Sequence, residues 1–235
     1  METTSGTDRK MARLAGALFI FVCIPMSMWA QMFVPSRVFV AQDPVATATN
    51  LLAHEFMFRV SIAMNMAGFF FFAFMMSLFY RIFKSVDQHL ALLMIMPIIA
   101  QIAITFMLEA LNFAAVLIVK SEPRAGFDVA QQQEAVYFLM RIYRAVMSCD
   151  KLLLGVSFIP LGMLVRRSGS VPRVLGTLII INGCGYIADS ITGIVFDRSI
   201  VLIIRPYLRL TIVGFLLTTI WMMVKGVQER KASIA

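Results

Sequence analysis

Six long apolar stretches occupy almost the whole chain, at about 13–34, 58–80, 90–119, 135–165, 174–196 and 206–224. Each reaches the roughly 20 apolar residues that carry a helix across a ~30 Å hydrocarbon core. Inside a bilayer the backbone must satisfy its own hydrogen bonds, which leaves helices or a closed barrel, and continuous apolar runs of this length select helices. The expected fold is therefore all-α: a polytopic membrane helical bundle with six transmembrane helices. The spans use most of the 235 residues, 60% of which are hydrophobic, and the connections are short. Residues 1–235 thus read as a single integral membrane domain.

The net charge of +8 does not form a nucleic-acid surface, because the basic residues are spread over the span ends. Arg9, Lys10, Arg13, Arg81, Lys84, Arg166, Arg167, Arg173, Lys225, Arg230 and Lys231 fall on one side. Arg37, Arg59, Lys120, Arg124, Arg198, Arg205 and Arg209 fall on the other. Cytoplasmic loops carry the excess of Lys and Arg, so this bias places both termini in the cytoplasm. The basic start at Arg9, Lys10 and Arg13 resembles a secretory leader. However, the apolar stretch after it is longer than a signal core and no small-x-small cleavage site follows, so it reads as a permanent span. Cys23, Cys149 and Cys184 each lie inside a span, which argues against a disulfide framework.

The connections carry ordinary breakers. Pro35 ends the first span, and residues 46–58 suggest a surface helix with Asp43 as N-cap and Pro44 at its first position. Glu122-Pro123-Arg124-Ala125-Gly126 opens the second outer loop, and Asp197 falls on that same side. Spans three and four exceed the length a crossing needs and are expected to tilt or project. Small residues recur every seven positions at Ser148, Gly155 and Gly162, and again at Gly176, Gly183 and Ser190. Such spacing keeps small residues on one seam and predicts a tight antiparallel hairpin of spans four and five. Phe69–Phe72 and Phe74 cover all sides of a helix and read as lipid-facing and packing surface, and the eighteen methionines as gap-fillers. No internal repeat of the kind that builds many transporters is visible.

Polar residues inside the spans are the one functional clue. Span three carries Gln101, Thr105, Glu109 and Asn112 at helical steps; span four carries Arg141, Arg144, Ser148 and Lys151, with Asp150 one position round. Span five carries Asn182, Tyr186 and Asp189, and span two Ser61, Asn65 and Gly68. Steps of three and four place residues on one helix face. Counted from the cytoplasmic ends, Glu109 falls at the outer boundary, Arg141 and Arg144 just outside it, and Asp150, Lys151, Asp189 and Asn65 roughly 8 Å inside it. A charge at mid-membrane costs about 2.5–3.5 kcal/mol, so these groups should face the bundle interior and pair. Glu109 and Asp189 are expected near Arg144 or Lys151. Two readings follow: structural ion pairs that fix helix neighbours, or a site in the outer half for an ion, proton or small ligand, built from Glu109, Asn112, Arg144, Asp150, Lys151, Asp189 and Asn65.

Catalytic patterns are weak. His54 and His89 lie on opposite sides and cannot share a metal, and no HExxH, CxxC, GxSxG or P-loop sequence occurs. No metal site, cofactor or catalytic residue is expected. His54 beside Glu55 offers an acid–base pair, although a solvated loop histidine is the simpler reading.

Gly155 to Ser190, GVSFIPLGMLVRRSGSVPRVLGTLIIINGCGYIADS, carries a Gly-rich span, the turn RSGSVPRVLG and the element GYIADS. With ARLAGALFI and ATATNLLAHEFMFRVSIAMN nearer the N-terminus, it resembles an uncharacterised bacterial family of integral membrane proteins, catalogued as domain of unknown function 4386. The resemblance implies a six-helix bundle and supplies no activity. The sequence thus points to a multi-pass protein of a bacterial inner (cytoplasmic) membrane, non-enzymatic, whose partners are the lipid bilayer and a small ligand or ion rather than nucleic acid. The alternatives are a small transporter or ion-coupled carrier and, further off, an intramembrane lipid-modifying enzyme.

Overall fold

Pro25 inside the first apolar stretch and Pro35 just after it both fall within one helix, and neither stops it. In the computed structural model, which describes residues 6–123, 127–196 and 198–227, helix α1 runs Gly6–Val38. The side chains of Arg198, Ser199, Leu202, Arg209 and Leu210 lie outside the description, as do the expected loop residues Arg124, Ala125, Gly126 and Asp197 and the basic Arg230 and Lys231. Proline lacks an N–H, and its ring crowds the carbonyl one turn back. Here a wider-wound π segment precedes each proline: Phe19–Cys23 before Pro25, and Met28–Phe33 before Pro35. The i→i+5 winding relieves that crowding. Pro35 therefore lies inside the final turns rather than ending the span, and the helix stops at Val38, where Phe39 turns extended.

Helix α2, Pro44–Ala53, is the expected surface helix: Asp43 caps it by accepting from the Ala46 N–H at 2.8 Å, with Pro44 at the first position. It ends at His54, one turn before the expected Phe58, which belongs to α3 (Glu55–Phe83). Helices α4 (Gln88–Lys120), α5 (Val129–Ser168) and α6 (Arg173–Val195) follow. At 33 and 40 residues, α4 and α5 exceed the ~20 that a crossing needs. The last span begins earlier than expected: α7, Arg198–Arg209, leads through a 3₁₀ turn, Leu210–Ile212, into α8, Val213–Lys225. Six segments are long and apolar enough to cross a membrane: α1, α3, α4, α5, α6 and Ile203–Lys225. Among the described residues there is no β-sheet. The chain is an all-α, multi-pass membrane helical bundle.

Packing divides the chain into two compact units, and α1, α3, α4 and α5 contribute to both. The first comprises residues 1–22, 71–102 and 148–235. Its core gathers Phe79, Phe83, Phe158 and Phe215; the Phe158 and Phe215 rings stack at 4.5 Å, and Phe19 meets Phe215 edge-on at 4.8 Å. Here the expected seam forms. A Cβ on Gly155 would stand 2.6 Å from the Gly183 carbonyl oxygen, and one on Gly176 2.7 Å from that of Gly162. Only glycine lets the α5 and α6 backbones approach this closely. Ser190 continues the contact, donating to the Cys149 carbonyl at 3.4 Å. The second unit comprises residues 23–70 and 103–147, with a core of Val34, Val38, Leu51, Phe58, Val116 and Val136. Phe70, Phe71 and Phe74 are exposed, as lipid-facing side chains should be. The cysteines are free.

Candidate functional site

The polar residues singled out in the sequence separate into three groups, one in the second unit and two in the first. Phase along α4 positions the first group. Glu109 and Asn112 stand one turn apart, both buried, and Asn112 Nδ2 donates to Glu109 Oε2 at 3.0 Å. From α3, Asn65 Nδ2 donates to Glu109 Oε1 at 2.5 Å, and from α5 the Tyr143 hydroxyl donates to the same oxygen at 3.1 Å. Gln31, within the π segment of α1, donates to Asn65 Oδ1 at 2.9 Å. Four helices therefore meet at one carboxylate through neutral amides and a phenol. Arg144 lays its guanidinium over the Phe39 ring at 4.5 Å, and Arg141 lies 5.9 Å from the Tyr137 centroid. At the edge of this unit, Glu55 pairs with Arg59 at 2.7 Å and with Lys120 at 3.1 Å, so it serves as an ion-pair hub instead of partnering His54.

In the first unit, Gln101 of α4 faces Asp150 of α5. Gln101 Nε2 donates to Asp150 Oδ2 at 2.6 Å. Both side chains are deeply buried, at 2% and 5% exposure. Yet among the described residues Asp150 Oδ1 and Gln101 Oε1 accept no hydrogen bond. A buried acceptor without a donor costs about 1–3 kcal/mol, and more when it carries charge, so this pair of bare oxygens demands a chemical explanation.

The third group, also in the first unit, joins three helices. Asp189 on α6 accepts from Lys151 Nζ of α5 at 2.7 Å through one oxygen, and from Arg205 Nε of α7 at 2.8 Å through the other. Arg205 Nη2 also reaches Ser148 Oγ at 3.4 Å. Gly193 makes room: a Cβ there would stand 2.7 Å from Ser148 Oγ and 3.1 Å from Arg205 Nη2.

Asp189 thus has the cation expected for it, Lys151. Glu109 accepts hydrogen bonds from Asn65, Asn112 and Tyr143, while Lys151 gives its ammonium to Asp189. Sequence reasoning missed Gln31, Tyr143 and Arg205 as partners. Gln31 is a lone amide in an apolar run, and a tyrosine inside a span calls for a partner for its hydroxyl. Arg205 reads as a span-end charge because the helix that carries it begins before the apolar stretch. Among the described residues, no group of three or more His, Cys, Asp or Glu is placed to hold a metal ion.

The fold and these interior polar groups define a multi-pass helical membrane protein whose buried carboxylates Glu109, Asp150 and Asp189 each accept hydrogen bonds from neighbouring helices. The chain belongs to the family described as Domain of unknown function (DUF4386), whose model matches residues 14–226. No curated protein and no solved structure matches it.

Proposed function

We propose that this protein is a non-enzymatic protein of the bacterial inner membrane, with both termini cytoplasmic, that binds a proton or a small monovalent cation at Asp150 and Gln101. The observation that carries this reading is the pair of bare acceptors, Asp150 Oδ1 and Gln101 Oε1, on side chains almost wholly buried. A proton on Oδ1 supplies the missing donor and cancels the charge. A hard cation between the two oxygens does the same, since carboxylate and amide carbonyl are its natural ligands. Either removes the cost of an ionised carboxylate inside a membrane span. Glu109, with both oxygens occupied by Asn65, Asn112 and Tyr143, then serves to hold four helices in place, and Arg144 packs over the Phe39 ring in that unit.

A second reading, a small ion-coupled carrier, draws on the interrupted α1. Gln31 sits in a π segment and bonds Asn65, which holds Glu109. Wider helical turns beside polar groups recur at functional sites, and broken helices line the ion sites of carriers.

The test compares purified wild type with Asp150→Asn, which keeps the shape of the side chain. Infrared difference spectra across a pH series read a protonated carboxyl, and calorimetry with sodium or potassium chloride reads a cation. The expected outcome is one Asp150-dependent signal, lost in the variant. A folded wild type giving neither signal would sink the reading. Proteoliposomes holding a proton or sodium gradient separate the two readings: a carrier dissipates the gradient and Asp150→Asn does not.

A further inference from the structure

The cluster of Lys151, Asp189 and Arg205 carries an imbalance that its own hydrogen bonds leave in place. Two cations share one carboxylate, and among the described residues no other acid pairs with either. Among the described residues, one positive charge of this cluster is therefore left without a carboxylate of its own at the edge of a membrane span. Asp189 is deeply buried, with a side chain 7% exposed, while Lys151 and Arg205 keep 31% and 27% of theirs open. The carboxylate holds the two cations from beneath, one on each oxygen, and leaves N–H groups of both directed elsewhere. Arg205 spends Nε on Asp189 and Nη2 on Ser148, so Nη1 keeps its donors, as Lys151 keeps two of its three. A guanidinium edge beside an ammonium is the donor set that recognises a phosphate-type oxyanion.

The surroundings suit a ligand that is apolar elsewhere. Ile194, Val195 and Phe196 at the end of α6, and Ile203 and Tyr207 on α7, are all exposed. Asp189 lies about 9 Å from the Val195 end of its helix, at 1.5 Å per residue. That is the depth at which amphipathic elements meet headgroups and the first methylenes of lipid chains. Gly193 contributes by absence, since a side chain there would crowd the Arg205 guanidinium.

We propose that Lys151 and Arg205, held by Asp189, form a binding site for a phosphate-type oxyanion, supplied by a phospholipid headgroup or by free phosphate. The proposal is independent of cation binding at Asp150. The full chain, purified in a detergent depleted of native lipid, is titrated with phosphatidylglycerol and separately with inorganic phosphate, reading adducts by native mass spectrometry and thermal stability. The expected result is saturable binding that weakens about tenfold or more in Lys151→Gln and in Arg205→Gln, as loss of a charge-assisted hydrogen bond requires. Lys151→Arg keeps the charge and should keep binding. Binding of the lipid alone identifies a headgroup site, and equal response to phosphate identifies a soluble oxyanion site. Photo-crosslinking with a reactive phosphatidylglycerol on wild type needs no variant to fold. Label on the peptide spanning residues 194–205, displaced by unlabelled lipid or by phosphate, supports the site. Wild type that binds neither probe, folded variants that bind as wild type does, or label confined to other peptides would each overturn it.

Discussion

Glu109 accepts hydrogen bonds from Asn65, Asn112 and Tyr143, and with Gln31 behind Asn65 this one carboxylate connects α1, α3, α4 and α5. Removing it strands the Asn65 and Asn112 amide donors and takes an acceptor from Tyr143 within a span, where no water replaces the partner. Glu109→Ala should therefore destabilise the protein by at least about 2 kcal/mol, since each stranded buried donor costs about 1–3 kcal/mol before relaxation. Glu109→Gln retains one carbonyl acceptor and should lose less. Unfolding in mixed micelles, followed by circular dichroism, gives both values, and an alanine variant as stable as wild type would remove Glu109 from the structural account. Helical steps made the Glu109–Asn112 pair legible in sequence, because the two lie on one turn. Gln31 and Tyr143 were not legible: each reaches its partner across 34 residues, so the pairing depends on how separate helices are rotated about their axes. Arg205 was hidden by a different effect. An arginine at a span end is the commonest topological signal, and nothing local distinguishes one that turns inward to a carboxylate.

The α5–α6 hairpin was readable because its signal is a period rather than a partner. Glycines seven apart on two successive spans must lie on one face of each, and the short turn through Ser168 and Gly169 makes the spans antiparallel. The atoms that a Cβ at Gly155 would meet include the Gly183 carbonyl and the Ile187 N–H, which are backbone and cannot swing away. Gly155→Leu and Gly183→Leu should each cost about 1–3 kcal/mol or more, the range for inserting bulk into a packed interface. Gly6→Ala serves as control, because nothing stands within 4 Å of a Cβ there, and its effect should stay within about 0.5 kcal/mol. Thermal melting in detergent reads all three, and equal midpoints for the Gly155, Gly183 and Gly6 variants would dissolve the seam. The first span was less readable. A proline in sequence marks an end by default, and the winding that absorbs Pro25 and Pro35 is a cooperative property of the turns before them, with no residue signature of its own.

Six crossings return the chain to the side from which the first span starts, and contacts within the first unit agree. Arg13 donates to the Val224 carbonyl at 3.3 Å, and a Cβ on Gly226 would meet Arg9, so the start of α1 lies against the end of α8. In the same unit, Arg167, in the last turn of α5, pairs with Asp87, before α4, at 2.6 Å. In the second unit, Glu55 pairs with Lys120, joining the opposite ends of α3 and α4. In the orientation proposed above, the Arg9, Lys84 and Arg167 ends, toward which Lys and Arg are biased, face the cytoplasm. Ser168, in the basic turn, is buried and would be a poor reporter; Ser85, Thr49 and Ser121 are exposed. In a chain whose three native cysteines are replaced by alanine, Thr49→Cys and Ser121→Cys should react with a membrane-impermeant maleimide in intact cells. Ser85→Cys should react only after permeabilisation. Labelling of Ser85→Cys alone in intact cells would invert the orientation and leave the six crossings standing. Labelling of all three in intact cells would contradict the crossings themselves, because Ser85 lies between α3 and α4 while Thr49 and Ser121 flank their far ends.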